Sequence, residues 1–292
     1  MSTKNGSIFL ENAEVIKHSR FDGNQFILRL IAPKCSKKAT PGSFAHIQCS
    51  PDISMRRPLS IMRANASEGY IEFLYKPIGA GLEALSLIQP GDKISLLGPI
   101  GKGFKTYEEK PLKLMLGGGV GIPPINFLAE NLKKLNFDVK KMLVLMGSEV
   151  PFPFETQNSL IKVQGLDTKN CKSISSLEKL GIASRLSSLQ GYPGCYQGYI
   201  TDLATTWIAS LSEKEKSKVE VFACGPEKML HAAAKLAKEY NLPCQLCLEE
   251  FMACAVGGCA GCTVNVRLEE GVTMKRVCVD GPVFQAKSIY PS

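Results

Sequence analysis

Near its C-terminal end the chain sets out four cysteines, Cys254, Cys259, Cys262 and Cys278, as C-x4-C-x2-C-x15-C within ACAVGGCAGC and RVCVDGPVF. Three thiols within nine residues, with glycine and alanine between them, let a tight loop wrap a small inorganic core and aim backbone N–H groups at its sulfurs. That spacing is the plant-type pattern for a [2Fe-2S] cluster, which carries one electron at a time. Structural zinc usually takes paired C-x2-C knuckles, and Cys244 and Cys247 supply one upstream. PCQLCLEEF, however, reads as a strand, which points those two thiols to opposite faces. The iron–sulfur reading is therefore preferred to zinc and to disulfides. Cys35, Cys49, Cys171, Cys195 and Cys224 share no spacing and read as buried small hydrophobes.

Other patterns suit flat or phosphorylated ligands. In MRRPLSI, Arg57, Pro58 and Ser60 place a phosphate-pairing cation, a fixed backbone and a hydroxyl on one short strand. Taken alone this is a weak signal, because a basic residue before a proline in a strand is common. Tyr75 and Lys76 end a later strand. Gly79, Ala80 and Gly81 then precede EALSLIQPGD, which reads as a short helix. Glycines at a helix start let N–H groups approach a pyrophosphate, although an ordinary loop into a helix explains them equally well. PLKLMLGGGVGIPPINFLAENLKKLN reads as an apolar strand, a glycine-rich turn and an amphipathic helix, the order of a nucleotide-binding β-α unit. Its turn holds Gly117, Gly118, Gly119 and Gly121, followed by Pro123 and Pro124 at first helical positions, and it is not the G-x-G-x-x-G fingerprint. CGPEKM closes a strand with Cys224, Gly225 and Pro226, at the end where ligands of open α/β sheets lie. A buried cysteine is the plain alternative.

These groups need a scaffold, and the chain is long enough for two domains and a small module at 292 residues. Up to about residue 106 the runs NQFILRLIAP, GSFAHIQCS, GYIEFLYKP and GDKISLLGP are separated by turn residues and predict an antiparallel β-barrel. From about residue 109 strands alternate with helices, through KKMLVLMGS, VEVFACGPEKML and HAAAKLAKEYN, which predicts an open, mostly parallel sheet. The resulting fold class is a multidomain α/β plus β chain. It has a barrel over 1–107, a Rossmann-like α/β domain over 108–243 and a cysteine module over 244–292. The serine-rich stretch SISSLEKLGIASRLSSLQGYPG reads as one or two helices with loops, and residues 155 to 195 receive no function.

A 45% apolar and 21% charged composition is that of an ordinary globular protein. The +8 charge is spread through NLKKLNFDVKK and LSEKEKSKVE, where acids interrupt the lysines, so no nucleic-acid partner is expected. The first twenty residues lack a signal-peptide pattern, and no apolar run reaches the ~18 residues of a membrane span. With eleven cysteines this points to a reducing cytoplasm.

The order RPLS, Gly-x-Gly, GGGVGIPP, CGPEKM resembles the ferredoxin-NADP reductase superfamily. With the cysteine tail and CVDGPVF, the chain resembles the electron-transfer subunits of NAD-dependent (class 1B) dihydroorotate dehydrogenases over nearly its whole length. The match is poorest from about 155 to 195. The resemblance implies that Arg57, Pro58, Leu59 and Ser60 hold FAD, with Ser60 near the flavin ring and acting in catalysis with Cys224. It implies that Leu74, Tyr75 and Lys76 line the same cofactor and that Gly81 and Leu82 meet its pyrophosphate. The family commonly has Gly-Thr at that last place, and Leu82 removes the hydroxyl. It further implies that GGGVGIPP receives NAD(H), with Gly117, Gly118, Gly119, Gly121 and Pro123 as contacts. Cys224, Gly225 and Pro226 then lie near the nicotinamide, and Cys254, Cys259, Cys262 and Cys278 ligate the cluster. Hydride would pass between NAD(H) and FAD, and single electrons through the [2Fe-2S] cluster to FMN of a separate catalytic subunit in a hetero-oligomer serving pyrimidine biosynthesis. Glu149 after the second sheet strand, with no arginine beside it, favours NAD over NADP. The alternatives are a reductase component for an oxygenase or ferredoxin, and a non-enzymatic iron–sulfur redox sensor.

Overall fold

The computed structural model describes residues 8–169 and 171–291. The first seven residues of the N-terminal segment, Asn170 within the unassigned stretch, and the final residue lie outside that description.

Six strands, β1 (Phe9–Phe21), β2 (Gln25–Ile31), β3 (Phe44–Ile47), β4 (Arg57–Asn65), β5 (Tyr70–Tyr75) and β6 (Lys93–Ile100), close an antiparallel barrel in the order β1-β2-β5-β4-β3-β6. The period of two aims Leu28 and Leu30 of β2, Ile71 and Phe73 of β5, and Ala45 and Ile47 of β3 into one core. Residues of opposite parity face outward and are covered from outside: Met62 and Leu74 join the core beneath the α/β domain, and Phe44 joins the core of the C-terminal module. Two helices accompany the barrel, α1 (Pro33–Lys38) and α2 (Gly79–Leu85). The second departs from expectation, because it takes the glycines into its own first turn and stops at Leu85 instead of running through SLIQPGD. Pro90 disfavours helix at the residue before it, and Asp92 turns the chain by accepting from the Gln89 N–H at 2.8 Å.

The chain then builds β7 (Leu112–Gly118), α3 (Ile122–Lys134), β8 (Met142–Gly147), β9 (Thr156–Asn158), β10 (Lys172–Ile174), α4 (Ser175–Lys179), β11 (Ala183–Ser187), α5 (Ile200–Ser210), α6 (Glu213–Lys216), β12 (Val219–Cys224), α7 (Glu227–Glu239) and β13 (Cys244–Cys247). Strands β11, β8, β7, β12 and β13 lie parallel in that order. Helix α3 covers one face together with barrel residues, while α5 and α7 cover the other. The serine-rich stretch supplies an edge strand, Ala183–Ser187, where helix was expected. Its buried Ser184, Arg185 and Ser187 hide the apolar signature of a strand; Ser184 Oγ accepts from the Ile174 N–H at 3.1 Å and Arg185 donates to the carbonyls of Ser184 and Ile161, each at 2.7 Å.

Beyond β13 come the cysteine loop, a hairpin of β14 (Thr263–Leu268) and β15 (Gly271–Arg276), then α8 (Val277–Asp280), β16 (Val283–Gln285) and α9 (Ala286–Ile289). Strand β16 pairs antiparallel with β13, so the C-terminal module is stitched to the sheet edge. A boundary drawn at residue 244 falls at the start of β13, a strand of the nucleotide-domain sheet. Cys244 and Cys247 pack into opposite cores, as the strand reading expects. Among the described residues no helix is long and apolar enough to cross a membrane.

Candidate functional site

Strand β4 carries the RPLS segment along the rim and wall of the barrel. Arg57, Pro58 and Ser60 are half-buried, while Leu59 turns into the barrel core. The Arg57 guanidinium bonds the carbonyls of Met55 (2.9 Å) and Arg56 (3.2 Å), which holds it over the start of α2. A Cβ added to Gly81 would lie 2.9 Å from Arg57 Nε, so the glycine gives the cation its room. Cation and glycine turn thus meet, as a pyrophosphate cradle needs. Leu82 is half-buried beside them.

Leu74 and Tyr75 are buried, and Lys76 is the half-exposed member of that trio. Tyr75 stacks on Phe26 inside the barrel, with ring centroids 5.5 Å apart. Its hydroxyl lies 2.9 Å from His18 Nε2, whose other nitrogen, Nδ1, lies 3.0 Å from the Ile88 carbonyl. A carbonyl only accepts, so Nδ1 carries the proton and Tyr75 donates to Nε2. The tyrosine ring is therefore engaged within the barrel and does not line its outer surface.

Across the seam the two glycine motifs converge. Gly117 and Cys224 are register partners on β7 and β12. A side chain on Gly121 would collide with the backbone of Cys224 and Gly225, and one on Gly118 with the Met229 side chain. Gly119 has φ +55 and open space around it, and Pro123 and Pro124 are buried in the first turn of α3. Pro226 starts α7 as its N-cap. Glu149 is exposed just past the end of β8, where Tyr192 Oη donates to its carbonyl at 3.3 Å.

Sequence reasoning missed one acid here. Glu249 lies two residues beyond Cys247, itself the register partner of Cys224. Although the side chain opens to solvent, the protein around it pushes its carboxyl up to about 7. Cys224 is held protonated, first by its hydrogen bond with Cys247, then by burial and by the nearby Glu249 charge. A carboxyl next to a cysteine motif at a strand end was the available signal, but nothing in LEE separates a crevice acid from a surface one.

The cysteine loop hangs from the end of β13. Among the described residues no three His, Cys, Asp or Glu side chains converge on one metal-holding point. The four cysteines form two pairs instead. The Cys262 and Cys278 sulfurs are 3.3 Å apart, and Cys254 bonds the side chain and the N–H of Cys259, the latter at 3.4 Å. Two pairs fit a cluster in which each iron takes two protein sulfurs better than one tetrahedral zinc. The Cys259 N–H leads the groups that hold the Cys254 thiol down to about 6, with those of Val256 and Gly258 assisting, so the thiolate ligand is favoured. Burial and Cys262 push Cys278 up to about 12. Ala255 and Ala260 adopt left-handed φ of 56° and 54°, and Arg276 donates to the Gly257 carbonyl at 2.9 Å, pinning the loop to the hairpin. Cys259 is exposed; Cys262 and Cys278 are buried in the same core as Phe44 and Ile100 of the barrel.

A closed antiparallel barrel ahead of an open parallel sheet is the ferredoxin-NADP reductase architecture of flavin- and pyridine-nucleotide-dependent electron-transfer proteins. The chain matches an NADH-dependent reduced ferredoxin-NADP oxidoreductase at TM-score 0.74 and 23% identity, over 98% of this chain and 91% of that one. It matches the ferredoxin reductase of carbazole 1,9a-dioxygenase at TM-score 0.59 and 18% identity, over 81% and 67%. Those likenesses concern the fold. The iron–sulfur cluster binding domain of dihydroorotate dehydrogenase B matches residues 249–290. The dihydroorotate dehydrogenase B (NAD(+)) electron transfer subunit of Caldanaerobacter subterraneus subsp. tengcongensis is 32% identical over 253 residues, 87% of this chain and 88% of its own length. That of Geobacillus sp. (strain WCH70) is 29% identical over 96% and 98%. The chain belongs to the family of dihydroorotate dehydrogenase B electron transfer subunits.

Proposed function

We propose that this protein passes electrons between FMN of a dihydroorotate dehydrogenase catalytic subunit and NAD+, in pyrimidine biosynthesis and in the cytoplasm. When bound, FAD exchanges a hydride with NAD(H) and single electrons with a [2Fe-2S] cluster. The observation that carries the reading is the position of the cysteine loop, which shares a core with barrel residues Phe44 and Ile100 and leaves Cys259 at the surface. An inner side toward the flavin strand and an outer side toward a partner are what a relay requires.

The residues would divide the work as follows. Arg57 pairs a phosphate while Gly81 and Leu82 offer backbone N–H groups to it. Pro58 and Ser60 present a fixed edge and a hydroxyl to the flavin ring, with Leu59 and Tyr75 packing the barrel wall from within, Leu74 on its outer face and Lys76 at its rim. Gly117, Gly118, Gly119, Gly121 and Pro123 receive NAD(H), and Gly225 and Pro226 let the nicotinamide end approach Cys224, whose neutral thiol packs against it. Glu149 takes the adenosine ribose hydroxyls. Cys254, Cys259, Cys262 and Cys278 hold the cluster. All eleven cysteines carry free thiols, in keeping with a reducing compartment.

Anaerobic titration of the purified chain with NADH, followed in the visible spectrum, tests this. Flavin and iron–sulfur bands should both bleach, and dihydroorotate should drive NAD+ reduction once the FMN-containing subunit is added. Bleaching without partner-dependent turnover would assign the chain to another acceptor, and absence of a flavin band would sink the proposal.

A further inference from the structure

Among the described residues His46 is the one side chain whose polar atoms are all buried without a hydrogen-bond partner. It is 1% exposed, on the outer face of β3. The β3–β6 ladder slips its register between Phe44 and His46, the kind of bulge that re-aims a side chain. On that face His46 stands opposite Pro58 of the RPLS strand and Leu97 of β6, and the backbone of Met252, leading into the cysteine loop, closes over it. It thus occupies the seam between the proposed flavin strand and the proposed cluster loop.

The groups around the ring are informative. The backbones of Met252 and Arg56 lie beside the ring, yet neither ring nitrogen has a hydrogen-bond partner. A neutral imidazole has one N–H and one lone pair, and here both are buried without a partner. The imidazolium carries an N–H at both positions. Burial first, then the charges of Arg56 and Arg57, oppose that form. Arg56 is fixed in place by bonds to Ser95 O (2.9 Å), Ser95 Oγ (2.7 Å) and His46 O (3.3 Å). Among the described residues neither arginine has a carboxylate partner, and β6 presents only Leu97 to the ring. The seam therefore holds two uncompensated cations and a buried base kept neutral by them, and added negative charge nearby would favour its protonation.

We infer that His46 is a positioning residue for electron transfer that couples it to proton uptake: one proton enters at the free ring nitrogen as one electron from the flavin reaches the cysteine loop, and leaves when that electron passes on. This rests on the proposed reading of the loop as a cluster site. The test is the midpoint potential of the cluster, followed by its own electron paramagnetic resonance signal from about pH 6 to 9 in the full FAD-loaded chain, for wild type, His46→Gln and His46→Leu. A tenfold change in proton activity coupled to one electron corresponds to about 59 mV. Wild type should approach that slope over part of the range, and both variants, with full flavin and cluster absorption, should be flat. A flat wild type, or a slope that survives in either variant, overturns the inference. Absence of the cluster signal would instead defeat the reading on which it rests.

Discussion

The nucleotide-domain sheet and the cysteine loop that hangs from it are held together in opposite ways. All six residues of β12 are buried, and one of them, Glu220, forms a 2.7 Å ion pair with Lys113 of β7 at 0% side-chain exposure. That pair also grips the linker from the barrel, since Lys113 Nζ donates to Tyr107 O (2.9 Å) and the Tyr107 N–H donates to Glu220 (3.3 Å). The loop has Phe251 at 94% and Val256 at 51% exposure, two alanines in left-handed conformation, and N–H groups aimed at sulfur. Left-handed non-glycine residues cost on the order of 1–3 kcal/mol each and persist where surroundings over-determine them. Burial shapes the sheet before any ligand arrives, whereas the shape of the loop answers to what the thiols enclose.

The most severe way to probe that contrast is to attack the sheet. In Lys113→Met, Glu220 keeps its burial and loses its cation, and removing one partner of a buried pair costs about 3–5 kcal/mol. Denaturant unfolding should show that loss, and replacing Glu220 by Leu as well should recover most of it. A single variant as stable as wild type would mean the pair does not anchor the sheet. Cys259→Ser attacks the loop instead. Cys259 is exposed and serine fits its place, so the unfolding midpoint of the flavin- and NAD-binding parts should hold while the iron–sulfur absorption and transfer to the partner disappear. NADH reduction of FAD should stay near wild type. Equal loss of both activities would show that sheet and loop are one cooperative unit.

How far each region could be read from sequence follows the same contrast. The barrel was legible because residues such as Leu28, Leu30, Ile71 and Phe73 alternate, and β7, β8 and β12 because their apolar runs are broken only by Lys113 and Glu220. The cysteines were legible because ligand chemistry fixes their spacing. Ala183–Ser187 was not, since a buried edge strand with Ser184, Arg185 and Ser187 among its five residues has no apolar pattern. Nor were the inward turn of Tyr75, decided by a partner 57 positions away at His18, or the isolation of His46, which depends on Met252 closing over it.

Glu249 sits where sheet hands over to loop and offers the finest test of the difference. The protein packed around its one closed side raises its carboxyl from 4.5 to about 7 although the residue is exposed, so the fold prefers the neutral acid. That preference stabilises fully below about pH 4.5 and is lost as pH rises through about 7, because the unfolded chain ionises freely and the folded chain must ionise in place. Glu249→Gln keeps the shape without the charge. Near pH 5 the variant should melt close to wild type, and near pH 8 it should melt higher, by roughly 2–4 °C, since access of water on the open side screens the effect. A gain of equal size at both pH values would assign the effect to packing. No gain near pH 8 would mean that Glu249 belongs with the solvated loop and not with the buried sheet.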